Sequence, residues 1–234
     1  TLDEEMHQTL LIWEFFSFST DGFFVEVGAS DPRCLSVTWL LEKVGWRGIL
    51  VEPLPDESEA LRKARPGSKV YEVAVSSEEN VGEADFHVQG TLSSLKPNIK
   101  DFQTRYDSVI KVKVVTLDSV LEESNVSSLD LVSIDTEGTE YEVLRGFDIK
   151  RYKPSLILVE DVVHTLQVHN YLGEMGYRLF RRTGFNNWYV PIQSRWKTPA
   201  IEKWKLFRKM YIGTPWRALK FKRRQQKKAG DWKP

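Results

Sequence analysis

Short apolar runs that alternate with helical stretches are the feature that most constrains what this chain can fold into. The runs cover residues 23–27, 48–52, 70–75, 129–135 and 155–160. Runs of this length and composition are typical of strands that are buried on both faces of a parallel sheet. Because helical patterns lie between them, right-handed crossovers are required, and the sequence predicts a doubly wound α/β fold.

Further predicted elements surround this sheet. An amphipathic helix is predicted over residues 3–18, and the irregular section 83–115 contains two strands of its own. Two apolar segments on either side of Thr183-Gly184 predict a closing hairpin. The other predicted helices cover residues 35–44, 55–64 and 140–147.

The charge of the chain is divided between two parts. Residues 195–234 hold 14 lysines and arginines against two acidic residues, a net charge of +12. The whole chain has a formal net charge of zero, so residues 1–194 carry −12. We therefore expect an acidic α/β domain over 1–194 and a basic, tryptophan-rich helical tail over 195–234. The single cysteine, Cys34, excludes an internal disulfide and suits a cytoplasmic, reducing compartment.

Acidic residues close two neighbouring strands of the predicted sheet. Glu26 and Gly28 lie where the first strand runs into a loop, and Glu52 ends the second strand. Ligands of doubly wound sheets bind at the carboxyl ends of the strands, where a carboxylate can accept both hydroxyls of a ribose. The loop lacks the G-x-G-x-x-G pattern of a dinucleotide site, and its acidic character suits a cationic ligand such as S-adenosylmethionine. We therefore predict that Glu52 holds a ribose and that Gly28 lets the ligand approach the backbone.

Three motifs in order carry a resemblance to a known family. They read GFFVEVGASDP from residue 22, VKVVTLDSVL from residue 112 and LDLVSIDTEGTEYEVLRGF from residue 129. Over residues 22–160 the chain resembles the FkbM family of methyltransferases. The resemblance implies a Rossmann-like class I methyltransferase sheet of seven strands, the last of them antiparallel. It also implies S-adenosylmethionine as the methyl donor and, for most members, hydroxyls of sugars and related metabolites as acceptors.

The resemblance also implies which residues bind the cofactor. Glu26, Gly28 and Ala29 would form the cofactor loop, and Glu52 would hold the ribose. Ser36 matches the opening of the helix that follows the loop. The predicted cofactor site is completed by Pro53 after the second strand and by Ala74, Val75 and Ser76, which would lie against the adenine. Because the fourth strand lies next to the first in a doubly wound sheet, Asp135 is also predicted to face the bound cofactor.

Acidic residues also crowd the end of the fourth predicted strand. Asp135 ends an apolar run, and Glu137 and Glu140 follow it around Gly138. Methyl transfer to oxygen requires an aligned acceptor that loses its hydroxyl proton. We predict that Asp135, with Glu137 beside it and its pKa raised by burial, is the base. His164, after the fifth strand, is a second candidate base. For Glu140, a stabilising role at the helix N-terminus is favoured.

A metal ion is the alternative to a protein base at this position. Asp135, together with either Glu137 or Glu160 and Asp161 at the end of the fifth strand, offers the carboxylate oxygens that Mg²⁺ prefers. A bound Mg²⁺ would lower the pKa of a coordinated sugar hydroxyl. The segment 89–95 resembles a loop that covers the active site in relatives, which makes Ser93 and Ser94 candidate contacts. The histidines at 7, 87 and 169 are predicted to be structural.

The basic tail combines aromatic and cationic residues. Ile201, Trp204 and Phe207 recur at helical spacing with lysines and arginines beside them, and Thr214-Pro215 predicts the start of a second helix. Helices of this kind bind anionic membrane surfaces, which is the partner that we predict. Docking onto the acidic domain, a homo-oligomer contact and an acidic polymer stay open as alternatives. No nucleic-acid-binding module is recognisable, so no specific nucleic acid is expected.

These features together predict a cytoplasmic O-methyltransferase that acts on a sugar hydroxyl of a glycan or glycolipid, peripherally bound to the inner membrane face. A lipid, polyketide or peptide acceptor stays open as an alternative. So does a catalytically silent, membrane-tethered scaffold, for which the argument is Pro32, a departure from the family pattern beside the cofactor loop. No apolar run of about 18 residues occurs, so no membrane-spanning helix is expected.

Overall fold

The computed structural model describes residues 2–34, 36–96, 106–161 and 165–230. The strands are β1 (Phe23–Val27), β2 (Arg47–Val51), β3 (Ser68–Tyr71), β4 (Ala74–Val75), β5 (Gly82–Val88), β6 (Ser108–Val115), β7 (Leu131–Ile134), β8 (Leu156–Glu160), β9 (Tyr177–Thr183) and β10 (Asn186–Pro191). The α-helices are α1 (Leu2–Phe15), α2 (Trp39–Lys43), α3 (Pro55–Ala64), α4 (Leu117–Glu123), α5 (Glu140–Arg145), α6 (Ile149–Tyr152), α7 (Gln167–Glu174), α8 (Ala200–Phe207) and α9 (Gly213–Gly230).

The main sheet has seven strands in the order β3-β2-β1-β7-β8-β10-β9. β1 lies between β2 and β7 and is parallel to both, while β10 is antiparallel to β8 and β9. The chain extends in one direction from β1 through β3 and in the other from β7 onward. This reversal opens a crevice at the carboxyl ends of β1 and β7. The predicted doubly wound sheet with an antiparallel last strand is confirmed.

Side chains of β1 alternate between two hydrophobic cores. Val25 and Val27 belong to the core that includes residues of α4, α5 and α7, whereas Phe24 belongs to the core that includes residues of α1, α2 and α3. Because successive side chains of a strand point to opposite faces, Glu26 points to the same face as Phe24. The carboxyl group of Glu26 therefore faces the layer of α2 and α3.

The predicted strand over residues 70–75 is two strands in two sheets. β3 pairs with β2 up to Tyr71 in the main sheet. β4 pairs instead with β6, in a second sheet of order β4-β6-β5. This sheet has a small core of its own, made of Leu54, Ala74, Phe86, Val112 and Val114. β4 is buried, whereas β3 is a partly buried edge strand. The run 70–75 spans parts of both strands and is mostly apolar, so composition alone gave no sign of the break.

Two predicted helices are shorter than expected. The N-terminal helix α1 ends at Phe15, because Ser17 and Phe18 adopt left-handed backbone conformations with φ of 56° and 58°. The helix predicted over 35–44 begins as α2 at Trp39. Its expected first turn is used instead to bind Glu26, as described below.

The tail forms one helical run in place of the two helices expected. α8 continues through a π-helical segment, Arg208–Ile212, directly into α9. Pro215 has no N–H to donate, and the wider turn lies immediately before it. The carbonyl oxygen of Lys209 accepts a hydrogen bond from Nη2 of Arg217 (2.5 Å). None of the described helices combines the length and apolar composition that a bilayer span requires.

Candidate active site

A cavity opens at the carboxyl ends of β1, β2 and β7, where the sheet topology favours a ligand site. Its empty volume, including the open space at its mouth, is about 770 Å³. The residues of its wall used below are Gly28, Ala29, Ser30, Glu52, Pro53, Ala74, Val75, Thr91, Ser93, Asp135, Thr136 and Glu137. Most of the predicted cofactor residues therefore line one cavity.

The turn after β1 requires glycine because of a backbone contact. Gly28 has a φ of +82°, and a Cβ built on it would lie 1.7 Å from the carbonyl oxygen of Asp135. The N–H groups of Gly28 and Ala29 both donate to the carbonyl of Val51, at 2.9 and 3.1 Å. The neighbour that excludes a side chain is thus the protein backbone, not a ligand as the sequence suggested. The turn is clamped between β2 and the end of β7.

Glu52 is buried in the cavity wall and anchored at both carboxylate oxygens. Oε2 accepts the N–H of Ser30 and Oε1 accepts the N–H of Leu54, each at 2.9 Å. Burial raises the pKa of Glu52 to about 7, although the two hydrogen bonds oppose this shift. A carboxylate offers about four acceptor positions, so two remain for the hydroxyls of a ligand. The site fits the ribose role that the sequence predicted for Glu52.

Glu26 does not line the cavity, because its carboxylate is used inside the protein. Oε2 accepts the hydroxyls of Ser36 (2.9 Å) and Thr38 (2.6 Å), and Oε1 accepts the N–H of Val37 (3.1 Å). Burial raises the pKa of Glu26, and the charge of Arg65 opposes this. In place of the cofactor contacts expected of Glu26 and Ser36, the structure gives both residues a positioning role. They hold the segment that follows the cofactor turn.

Arg65 completes this buried network. Its side chain is fully buried and pairs with Glu42, with 2.9 Å between Nε and Oε2. Its two Nη atoms donate to the hydroxyls of Ser36 (3.1 Å) and Thr38 (2.9 Å). Sequence reasoning missed Arg65 because it lies at the end of α3, far along the chain from the residues that it binds. Complete networks of this kind are rigid, and they are costly to break.

Three carboxyl groups meet at the ends of β7 and β8. One oxygen from each of Asp135, Glu137 and Glu160 lies within 4.8 Å of the others, and we call these residues the acidic cluster. Burial, and then the adjacent carboxyl of Glu160, raise the pKa of Asp135 well above its usual value. Oδ1 of Asp135 is buried and has no hydrogen-bond partner among the described residues. Such a group can accept a proton, and the cluster can offer oxygen ligands to a divalent cation.

The turn after β7 orients the acidic cluster. Glu137 and Gly138 both have positive φ angles, of 54° and 109°. Oε1 of Glu140 accepts the N–H groups of Gly138 (2.8 Å) and Thr136 (3.3 Å). Glu140 therefore stabilises the turn itself, which agrees with the role that the sequence favoured for it.

The expected metal-ligand set needs one correction. The structure groups Glu137, rather than Asp161, with Asp135 and Glu160. The carbonyl oxygen of Asp161 accepts a hydrogen bond from Nη2 of Arg182 (2.8 Å), which holds this residue toward the closing hairpin. The candidate cation ligands are therefore Asp135, Glu137 and Glu160.

The loop 89–95 forms part of the cavity wall and brings in hydroxyl groups. Thr91 and Ser93 line the cavity, but Ser94 does not. The Ser94 hydroxyl lies 3.1 and 3.2 Å from two carbonyl oxygens of the turn after β7 and donates to them. Thr136 is a further lining residue. Thr91 and Thr136 were missed because nothing in the local pattern distinguishes a threonine at a cavity from one on a surface.

The segment after β3 also differs in part from the prediction. Ala74 and Val75 line the cavity. Ser76 is buried outside the cavity wall, where its N–H donates to Val115 (2.9 Å) and its hydroxyl accepts a hydrogen bond from Asn80 (3.0 Å). The expected adenine contact of Ser76 is therefore replaced by a structural role.

The described histidines are not part of the cavity wall. His164, the second candidate base, lies outside the described residues. His87 packs against the ring of Tyr106, with 4.6 Å between ring centroids. Nε2 of His169 lies 2.9 Å from the hydroxyl of Tyr211 in the tail. Neither His87 nor His169 lines the cavity.

The sheet order, the glycine turn after β1 and the carboxylate that closes β2 define a class I S-adenosylmethionine-dependent methyltransferase. A family model described as "Methyltransferase FkbM domain" matches residues 26–179. The chain belongs to this family of methyltransferases, as its motifs indicated. No curated protein sequence matches the chain.

The similar solved structures share little sequence identity with this chain. The "METTL16 MTase domain" is 11% identical, with a TM-score of 0.48, and the match covers 83% of this chain and 69% of that one. The precorrin-6y C5,15-methyltransferase from Geobacter metallireducens GS-15 is 12% identical, with a TM-score of 0.40 and coverage of 73% and 78%. The N-terminal domain of human METTL16 in complex with SAH is 12% identical, with a TM-score of 0.41 and coverage of 79% and 66%. The assignment therefore depends on the strand order and the family match.

Proposed function

We propose that this chain methylates a sugar hydroxyl of a glycan or glycolipid. When bound, S-adenosylmethionine supplies an electrophilic methyl group on a sulfonium. One observation carries the proposal: the buried carboxylate of Glu52 lies in the wall of the same cavity as Asp135 and Glu137 of the acidic cluster. Glu52 suits the ribose of the donor, and the cluster suits the hydroxyl of an acceptor.

The donor half of the cavity is formed by strand ends that the protein holds rigidly. Glu52 accepts the ribose hydroxyls from its anchored position. The backbone of Gly28 and Ala29 forms the floor beside it, and Ala74 and Val75 supply an apolar wall for the adenine. An apolar cavity with few polar groups at fixed positions is the usual form of a site for a small ligand.

The acceptor half is polar. Thr91, Ser93 and Thr136 line the cavity together with Asp135 and Glu137 of the acidic cluster. These groups match the many hydroxyls of a sugar better than they match an apolar acceptor. The acceptor oxygen must lose its proton as it bonds to the methyl carbon, and Asp135 is the residue that accepts this proton.

Mg²⁺ is the second route to the same proton loss within this proposal. The acidic cluster fits a divalent cation because its oxygens converge and Oδ1 of Asp135 has no partner among the described residues. A cation there lowers the pKa of a coordinated hydroxyl. Treatment with a chelator separates the routes. Activity that persists without metal supports Asp135 as the base, and activity restored by added Mg²⁺ supports the cation.

The proposal is tested by binding and by transfer of a labelled methyl group. Calorimetry with S-adenosylhomocysteine should show saturable binding that weakens in Glu52→Gln and is unchanged in Asp56→Asn, an exposed carboxyl in the first turn of α3. Transfer is then measured to glycolipids, oligosaccharides, lipids and peptides. Label on an oligosaccharide or glycolipid headgroup supports the proposal. Label on a peptide or on an acyl lipid contradicts the sugar acceptor, and binding without transfer to any acceptor points to a silent scaffold.

A further inference from the structure

Several large apolar side chains of the tail are exposed. The most exposed are Trp216 (72%), Ile201 (69%) and Trp204 (58%), and Phe207 and Ile212 are each nearly half exposed. We call these five residues the tail surface. Large apolar side chains scattered singly on a surface need no explanation, but a concentration of them within one helical run marks an interaction site.

The tail surface includes stacked aromatic rings. The rings of Trp204 and Phe207 are stacked, with 5.8 Å between centroids, and Phe207 also lies 5.2 Å from the ring of Tyr211. Aromatic side chains of this kind are favoured where one side of a helix meets lipid and the other meets water. The tail surface therefore has the composition of a membrane-interface helix.

Docking of the tail onto the α/β domain uses other side chains. Leu206 and Met210 are buried, and the Tyr211 hydroxyl lies 2.9 Å from His169 of α7. The tail therefore contacts the α/β domain through these side chains, while the described residues leave the tail surface uncovered. An occupant for that surface has to come from outside the described chain.

Charge indicates the chemistry of this occupant. Residues 195–234 carry a net charge of +12, and the side chains of Lys203, Lys205, Arg208 and Lys220 are exposed beside the tail surface. A surface that is both apolar and cationic complements a bilayer with anionic headgroups. A soluble acidic protein would match the charge but would not require exposed tryptophans.

We propose that the tail surface binds the headgroup region of an anionic lipid bilayer. Arg217 of α9 interacts electrostatically with Asp161, which directly follows Glu160 of the acidic cluster. This interaction places part of the tail near the end of β8. Together with the proposed function, on which this part rests, bilayer binding by the tail favours a glycolipid as the acceptor.

The experiment measures partition of the full chain onto vesicles by sedimentation. Vesicles of phosphatidylcholine alone are compared with vesicles that also contain phosphatidylserine. We expect at least about tenfold stronger partition onto the anionic vesicles, since each basic residue near the surface strengthens binding by about fivefold. Salt should weaken it. Equal partition onto both vesicles, or onto neither, would overturn the proposal.

Matched variants test whether vesicle binding depends on the tail surface or on any exposed apolar side chain. The double variant Trp204→Ser with Trp216→Ser should lose at least about tenfold in partition, because both side chains insert at the interface. Phe185→Ser, at an exposed phenylalanine outside the tail, should bind vesicles as the parent does. Loss in both variants, or in neither, contradicts the assignment. So does a change of oligomeric state in the tryptophan variant, which would identify a second copy as the occupant.

Affinity for S-adenosylhomocysteine, measured without vesicles, distinguishes the two proposals. If the tail variant keeps this affinity but loses partition, both proposals stand. If the parent binds vesicles but not S-adenosylhomocysteine, the methyltransferase proposal fails and the membrane proposal survives.

Discussion

Glu52 should make the affinity for S-adenosylhomocysteine depend on pH. Burial raises the pKa of this carboxyl to about 7, and the acceptance of two ribose hydroxyls favours its ionised form. With that pKa, roughly a tenth of the groups are ionised at pH 6 and roughly nine tenths at pH 8. We therefore expect the dissociation constant to be about tenfold larger at pH 6 than at pH 8, a difference of about 1.4 kcal/mol.

The variant Glu52→Gln isolates this contribution. The amide keeps the shape of the carboxyl, but it does not ionise and its nitrogen cannot accept the N–H of Ser30 or Leu54. Loss of a hydrogen bond to a charged group costs about 1.5–3 kcal/mol, so at pH 8 the affinity should fall by roughly 10- to 100-fold. Calorimetric titrations at pH 6, 7 and 8 measure both effects. If the variant keeps the pH dependence of the parent, the reasoning is wrong.

The same pKa shift affects the stability of the ligand-free protein in the opposite direction. Because the folded-state pKa is raised from 4.5 to about 7, the folded state holds more protons than the unfolded state between these values. The contribution of Glu52 to stability is therefore fully present below pH 4.5 and is lost as the pH rises through 7. Urea unfolding should show Glu52→Gln to be less sensitive to pH over this range than the parent.

Three further variants test other parts of the site. Gly28→Ala should cost at least about 3 kcal/mol of unfolding free energy or prevent folding, since its Cβ meets the Asp135 carbonyl. The control Gly138→Ala has a positive φ but open space around the new Cβ, and it should cost about 1–2 kcal/mol. If urea unfolding shows the same loss of unfolding free energy in Gly28→Ala and Gly138→Ala, the predicted collision is refuted. Arg65→Met should cost about 3–5 kcal/mol because it leaves buried carboxylates without their partner, whereas Arg62→Ala, which breaks an exposed pair, should cost under about 1 kcal/mol. Asp135→Asn should keep the parent's affinity for S-adenosylhomocysteine while methyl transfer falls by about 100-fold or more; unchanged transfer would remove Asp135 from the chemistry.

The sequence predicted the centre of the main sheet well because β1, β2, β7 and β8 are buried on both faces. Runs such as residues 23–27 are apolar throughout, and helices separate them, so a parallel sheet follows from burial alone. The placement of Glu52 and Gly28 at strand ends followed from the same topology. These parts of the site depend on where each strand ends, which the printed sequence shows.

Contacts between distant segments were beyond the reach of the sequence. Glu26 was predicted to face the cofactor because it precedes the cofactor turn, but the alternation along β1 points its carboxyl group toward Arg65. The pairing of Glu137 rather than Asp161 with Glu160 depends on a turn with two positive φ angles, which nothing in the pattern indicates for a glutamate. Local propensity cannot report such long-range hydrogen bonds and backbone strain.

The contact between Gly28 and the carbonyl of Asp135 limits which parts of the site can change in sequence. The turn after β1 and the end of β7 touch through their backbones, so neither can move without displacing the other. A substitution at this contact therefore disturbs both the donor half of the cavity and the acidic cluster. The loop 89–95 follows β5 of the second sheet. Under the proposed function, the side chains of Thr91 and Ser93 can change with the acceptor while the contact between Gly28 and Asp135 is kept.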